Sequence, residues 1–186
     1  MVVSHMRIDD RLIHGQIVTA WISDSKAGEI LVADDMAAKD PTQQMLLKLA
    51  VPAKIKLTIV SVEKAAELLK TDQSDTKVLL IVRNPKTALD LFERGFYIES
   101  VNVGNISNAR STVGRKRLLP YIYVEPEDIA NLTAIAEKNI RLDVRAVPND
   151  KSIDGLALIS KKEKGETYEF VSESCPCSAG YMADIF

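Results

Sequence analysis

Short apolar runs alternate with amphipathic stretches along most of the chain. Val2, Val3, Met6 and Ile8 make a strand-like run, followed by a helix-like one through Ile17, Val18, Ala20, Trp21 and Ile22. Glu29-Ile30-Leu31-Val32-Ala33 predicts a second strand. Asp40-Pro41-Thr42-Gln43 has the order of a helix start, with Asp at the cap and Pro at the first position. Met45, Leu46 and Leu49 then read as the apolar stripe of that helix, with Pro52 beyond its end. Leu57 to Val60 is a third strand, and Ser61 caps a helix from Val62 to Lys70. Lys77 to Val82 is a fourth strand, with an apolar run from Val78 of the kind buried on both faces. Asn84-Pro85 repeats the cap-then-proline start, and Gly95 stops that helix. Ser100 to Val103 is a fifth strand, ending in Gly104-Asn105.

Ile106 to Arg117 has no helical or strand period and reads as a long loop. Tyr121 to Val124 predicts a sixth strand, Pro126 to Lys138 an amphipathic helix, and Leu142, Val144 and Ala146 a seventh strand by alternation. Ile153 to Lys162 reads as a last helix. Strand and helix in repeated alternation predict a three-layer α/β/α fold around a mostly parallel sheet of about seven strands. The pattern fades near residue 162. The expected division is a body over 1–162 and an extension over 163–186, in which only Thr167 to Val171 could form a short strand.

Composition adds little to this and removes several classes. A chain of 186 residues suits one domain and can bury roughly 70% of the surface its unfolded form exposes. With 24 basic and 26 acidic residues there is no global charge argument for nucleic acid or an anionic membrane. The longest apolar run, Val78 to Val82, is too short to span a bilayer, and the start of the chain lacks the pattern of a signal peptide. Both cysteines, Cys175 and Cys177, lie in the tail, so no disulfide framework holds the body, which suits a reducing cytoplasm. Two thiols one residue apart, without further close ligands, do not make a zinc site.

The densest chemistry lies in one turn, Arg7-Ile8-Asp9-Asp10-Arg11-Leu12-Ile13-His14-Gly15-Gln16, between the first strand and the first helix. Loops at the carboxyl ends of strands are where ligands collect in open α/β sheets. Phosphoryl transfer asks for in-line positioning and for positive charge around the transferring oxygens. An imidazole can hold a phosphoryl group on one ring nitrogen while a hydrogen bond fixes the other. Arg11, three residues before His14, is close enough for its guanidinium to meet phosphate oxygens. Gly15 removes bulk beside the reacting nitrogen, and the following helix N-terminus favours an anion. Carboxylates repel phosphate, so Asp9 and Asp10 are expected to hold Arg11 or the non-reacting histidine nitrogen, with Asp10 preferred as the orienting group. Gly104 and Asn105 could contribute N–H groups to the same phosphate site. Arg110, Arg115, Lys116 and Arg117 form a basic loop without interleaved aromatics, expected to be solvated or to dock a partner rather than nucleic acid. His5 and Trp21 read as packing residues.

The ten-residue turn closely resembles the signature of the IIB component of the bacterial sugar phosphotransferase system, mannose/fructose/sorbose family. Ser100-Val101-Asn102-Val103-Gly104, Pro126-Glu127-Asp128-Ile129 and Asp143-Val144-Arg145 extend the resemblance over about residues 1–162. Asn105, where the family commonly has a second glycine, and the tail depart from it. The resemblance implies a phosphocarrier with the activity of a protein-Nπ-phosphohistidine–sugar phosphotransferase. A phosphorylated IIA protein would load His14, and His14 would pass the group to a sugar moving through the membrane components IIC and IID, which select the sugar. It also implies a homodimer, no metal or organic cofactor, and a cytoplasmic protein meeting the membrane through IIC and IID. IIA is expected on a separate polypeptide. Two other readings compete: a histidine phosphatase or mutase, and a non-catalytic anion-binding module. The first wants an arginine immediately before its histidine, where this chain has Ile13, and a second histidine or a carboxylate in the pocket. The second cannot be excluded by fold alone.

Overall fold

Strand β1 (Val2–Asp9) lies in the middle of the sheet and pairs in parallel with β4 (Lys77–Val82) and β5 (Ser100–Asn105). The computed structural model describes residues 1–107 and 115–163. Beyond β4 the sheet continues through β2 (Glu29–Ala33) to β3 (Lys56–Val60), and beyond β5 through β8 (Arg141–Val144) to β9 (Ile153–Asp154). The order is therefore β3-β2-β4-β1-β5-β8-β9, and only the β8–β9 pair is antiparallel.

Alternation within β4 shows why the sheet needs cover on both faces. Leu79 and Ile81 point into one apolar cluster and Val78, Leu80 and Val82 into another. The first cluster is closed by a π-helical turn (Ile17–Trp21), by α1 (Ile22–Ser25) and by Leu47 of α2 (Pro41–Ala50). The second is closed by α3 (Val62–Thr71), α4 (Pro85–Glu93), α5 (Pro126–Glu137) and α6 (Gly155–Glu163). This is the expected three-layer α/β/α arrangement. The capping residues act as their chemistry suggests. The Asp40 carboxylate accepts from Thr42 and Gln43 N–H, Ser61 Oγ from Lys64 N–H, and Asn84 Oδ1 from Thr87 N–H.

Three expectations change. The sixth strand does not join the main sheet: β7 (Ile122–Val124) pairs antiparallel with β6 (Lys116–Leu119), inside the stretch expected to be loop. In β6 only Leu118 and Leu119 are buried, too short an apolar signal to stand out. The last helix is preceded by β9, a two-residue strand that supplies the seventh place in the sheet. Finally, Met45, Leu46 and Leu49 do not face the core; they are 65%, 63% and 78% exposed, and Leu47 on the opposite side is buried. Arg110, Cys175, Cys177, the strand expected over Thr167–Val171 and the extension after residue 163 lie outside the described residues.

β1 leads to β2 on one side of itself, whereas β5 leads on to β8 at the other. Their carboxyl ends therefore border the crevice where connections diverge, the usual place for a ligand in an open α/β sheet. The turn after Asp9 and the segment after Gly104 both open there.

Candidate active site

In a strand, residues two apart share a face, so Arg7 and Asp9 of β1 point the same way. Both are completely buried. Arg7 Nη2 and Nε donate to Asp9 Oδ2 at 2.8 and 3.1 Å. The chain then turns sharply, with Leu12 N–H returning to the Asp9 carbonyl at 3.0 Å, and brings His14 back over the strand end. His14 Nε2 lies 2.8 Å from the same oxygen, Asp9 Oδ2. Asp9 Oδ1 accepts from the backbone N–H and the Nε of Arg11 at 3.2 and 3.3 Å. One buried carboxylate thus gathers two arginines and the histidine.

Burial by itself would push the Asp9 carboxyl up. The His14 hydrogen bond, then the Arg7 charge, with further help from His14 and Arg11, outweigh burial and hold it below its ordinary value. Asp9 is therefore an acceptor only, which requires the proton of the neutral His14 ring to sit on Nε2. Nδ1 is left with the lone pair. The ring side chain is 16% exposed, so the site is not sealed.

Arg7 is held on every side. Its Nη1 donates to Asn102 Oδ1 and to the Arg145 carbonyl, and its guanidinium stacks 5.0 Å from the Trp21 ring centroid. Gly104 packs against it so closely that a Cβ there would stand 1.8 Å from Arg7 Cζ. Burial pulls the Arg7 pKa down and Asp9 opposes it. Arg11, in contrast, has a side chain 46% exposed, with Nη2 on Gln16 Oε1 at 3.2 Å. Of the two arginines in the turn, it is the one open to solvent.

Asp10 takes a different place from the one expected. Its carboxylate accepts from Asn105 Nδ2, from Ser107 Oγ and from Ser107 N–H, and its N–H donates to the Asn105 carbonyl at 3.2 Å. The group on the His14 ring is Asp9. Successive side chains leave the strand end on opposite faces, so only one of the two carboxylates could face His14. Gly104 and Asn105 meet Arg7 and Asp10 respectively, and so support the turn from β5. Gly15 has open space where a Cβ would be. The helix after His14 is irregular: it runs unbroken over residues 15–25, with a five-residue π turn (Ile17–Trp21) leading into α1. Of the basic loop, Arg115 is bound to Glu125 and to the Ser107 carbonyl, and Arg117 lies over the Tyr123 ring.

His5 and Trp21 are packing residues, as their pattern suggested. Their rings stack at 4.4 Å, and Trp21 Nε1 donates to the Ala146 carbonyl. With the His5 Nε2 atom buried there, it does not supply the second pocket histidine a phosphatase would use. The carboxylate on the His14 ring carries two arginines as well, so it is engaged as an acceptor rather than free as a proton donor.

The family model for the sorbose-subfamily IIB component of the phosphotransferase system matches residues 3–169. The chain belongs to that family. It is a IIB component of a sugar-uptake phosphotransferase system, and so a phosphocarrier. The sorbose-specific EIIB component of Lacticaseibacillus casei is 32% identical over 162 residues, which span 87% of this chain and 97% of that protein. The mannose-specific EIIAB component of Escherichia coli K12 is also 32% identical, over 88% of this chain but 50% of its own length. Among solved structures, the IIBSor domain of the sorbose permease from Klebsiella pneumoniae superposes with a TM-score of 0.81 at 31% identity, covering 87% of this chain and 98% of that one.

Among the residues whose side chains meet Asp9 and Asp10, Arg7 and Ser107 had no role in the sequence analysis. Arg7 could have been found, because the i, i+2 spacing of Arg7 and Asp9 in a strand places opposite charges side by side. Ser107 carries no such signal.

Proposed function

We propose that His14 accepts the phosphoryl group at Nδ1 and that Asp9, rather than Asp10, orients its ring. The observation that carries this reading is the 2.8 Å contact between His14 Nε2 and Asp9 Oδ2. In the loading step the Nδ1 lone pair attacks phosphorus on a phosphohistidine of the IIA partner. The new P–Nδ1 bond forms as the donor's P–N bond breaks and its electron pair returns to the donor imidazole. Positive charge grows on the His14 ring as Nδ1 gives up its lone pair, and Asp9 stabilises it through Nε2–H. Arg11 swings from Gln16 to neutralise the transferring oxygens. In the unloading step a sugar hydroxyl attacks phosphorus, the P–Nδ1 pair returns to the ring, and the hydroxyl proton leaves to solvent. Gly104 and Asn105 act on this phosphate site by supporting the turn, and Gly15 keeps the approach to Nδ1 open.

The partners in this reading are phosphorylated IIA and the membrane components IIC and IID. The Escherichia coli relative supports the first: its name joins A and B, and the match covers half of it. Relatives named for sorbose, fructose and mannose match at the same 32% identity, so the likeness favours no one of these sugars. No helix among the described residues is long and apolar enough to cross a membrane. A cytoplasmic body over 1–162 that meets the membrane through IIC and IID accords with this. The exposed face of α2, with Met45, Leu46 and Leu49, supports association with a second copy.

The test is intact-protein mass spectrometry after incubation with phosphoenolpyruvate, the general phosphotransferase proteins and a mannose-family IIA protein. One added phosphoryl group, labile in acid and missing in His14→Ala, is the expected result. Retained labelling in His14→Ala would overturn the assignment.

A further inference from the structure

We propose that Arg83 is a positioning residue for phosphoryl transfer, clamping the backbone of the catalytic turn through the carbonyl of Asp10. This rests on the reading of His14 as the phosphoryl acceptor.

The turn needs such a clamp. Leu12 is completely buried and has φ of +60°, a left-handed conformation that a bulky residue holds only when its surroundings impose it. Left to itself the segment would relax, and His14 would drift from Asp9. The Asp10 peptide groups are held at two points. Asp10 N–H donates to the Asn105 carbonyl of β5, and the Asp10 carbonyl accepts from Arg83 Nη1 at 3.2 Å.

Arg83 follows β4, next to β1 in the sheet, and is 6% exposed. Its own position is set by Asp34, at the end of β2. Nε donates to Asp34 Oδ2 at 2.5 Å and Nη2 to Asp34 Oδ1 at 2.8 Å. Asp34 in turn accepts from Ala37 N–H, and its own N–H reaches the Val60 carbonyl. Gln43 Oε1 of α2 takes a longer contact from Nη2, at 3.4 Å. The guanidinium is thereby locked to the rigid sheet, and its fork carries that rigidity to the turn.

Two physical points separate positioning from stability. A buried ion pair is roughly neutral compared with an apolar pair of the same size, so stability alone does not call for Arg83 and Asp34. Asp34 also cancels the charge of Arg83, so the arginine's effect on the transferring phosphate is geometric. Arg11 supplies the field, and Arg83 holds the frame. The planar fork of a guanidinium meets both Asp34 oxygens while its other terminal nitrogen reaches the Asp10 carbonyl, a span that the compact ammonium of a lysine does not match.

The test uses the full chain, a mannose-family IIA protein phosphorylated from phosphoenolpyruvate, and two variants. Arg83→Met combined with Asp34→Leu removes the pair together and leaves no buried charge. Arg83→Lys keeps the charge and loses the fork. The initial rate of phosphoryl acceptance is read against IIA concentration, alongside the melting temperature and the 15N shifts of the His14 ring. In both variants the maximal rate should fall about 10- to 100-fold with KM for IIA unchanged. The ring should also lose its single Nε2–H tautomer. A wild-type maximal rate in either folded variant, whatever its melting temperature, would overturn the proposal. Should the double variant fail to fold, Arg83→Lys decides alone by the same criterion. A wild-type chain that accepts no phosphoryl group would instead refute the reading of His14.

Discussion

Asp9 and His14 are five residues apart and meet through a single carboxylate oxygen, at 2.8 Å from Nε2. That oxygen also accepts from Arg7, so the carboxylate against the ring is already neutralised by a buried guanidinium. The arrangement keeps the carboxylate ionised in the interior and leaves it only one role toward the histidine, that of acceptor.

Replacing Asp9 should therefore damage both fold and function. Asp9→Asn leaves the buried Arg7 charge without a counter-ion, a change that costs about 3–5 kcal/mol. It also removes the bias that places the proton on Nε2, and acceptance of the phosphoryl group should fall by about 100-fold. Thermal unfolding and the mass-spectrometric time course check the two effects separately. An unchanged melting temperature would contradict the burial argument.

Arg11→Ala should split these effects. The Arg11 side chain is 46% exposed, so stability should change by less than about 1 kcal/mol. Transfer should slow by about 100-fold, because one charged donor to the phosphate is lost. Equal rates for Arg11→Ala and wild type would remove Arg11 from the mechanism.

The two glycines near the site should behave in opposite ways. Gly15→Ala meets nothing within 4 Å and should fold as the wild type does. Gly104→Ala drives a methyl group to 1.8 Å from the Arg7 guanidinium, which cannot move because Asp9, Asn102 and Trp21 enclose it. That variant should be poorly soluble or melt well below the wild type, as circular dichroism would show.

Stability should rise with pH between about 4 and 6.5 because of His5. Burial, with Arg7 and Arg145 nearby, lowers its pKa from 6.5 to about 4. Over that interval the unfolded chain binds a proton that the folded chain does not, so lowering the pH favours unfolding. The total effect is no more than about 3 kcal/mol. Asp9 contributes little there: its native value lies below the ordinary 3.8, so its stabilisation is complete above that pH and disappears as pH falls through the lower native value. Urea midpoints from pH 7 to 5 should fall for the wild type and flatten in His5→Phe, which keeps the stack on Trp21. Parallel profiles would show that His5 is not the group responsible.

Much of the framework was legible because local rules suffice for it. The apolar runs of β2 and β4, the caps at Asp40, Ser61 and Asn84, and the concentration of charge around His14 each follow from neighbouring residues. The strand β6 and the two-residue β9 were not legible, since each exists through its pairing rather than its own pattern. The same holds for α2, where helical spacing identified an apolar stripe but not which side the sheet would take.

At the site the division is sharper. The order of residues is enough to mark the turn, to single out His14 and Arg11, and to place Arg7 and Asp9 on one face of a strand. It does not tell Asp9 from Asp10, because the two are chemically identical neighbours. Folding separates them: the end of β1 sends Asp9 toward Arg7 and His14, and Asp10 toward Asn105 and Ser107. Nor could order alone bring Arg83, 73 residues on, to the Asp10 carbonyl. Hydrogen bonds of that range depend on which strands lie side by side, and strand order is a property of the whole packed sheet.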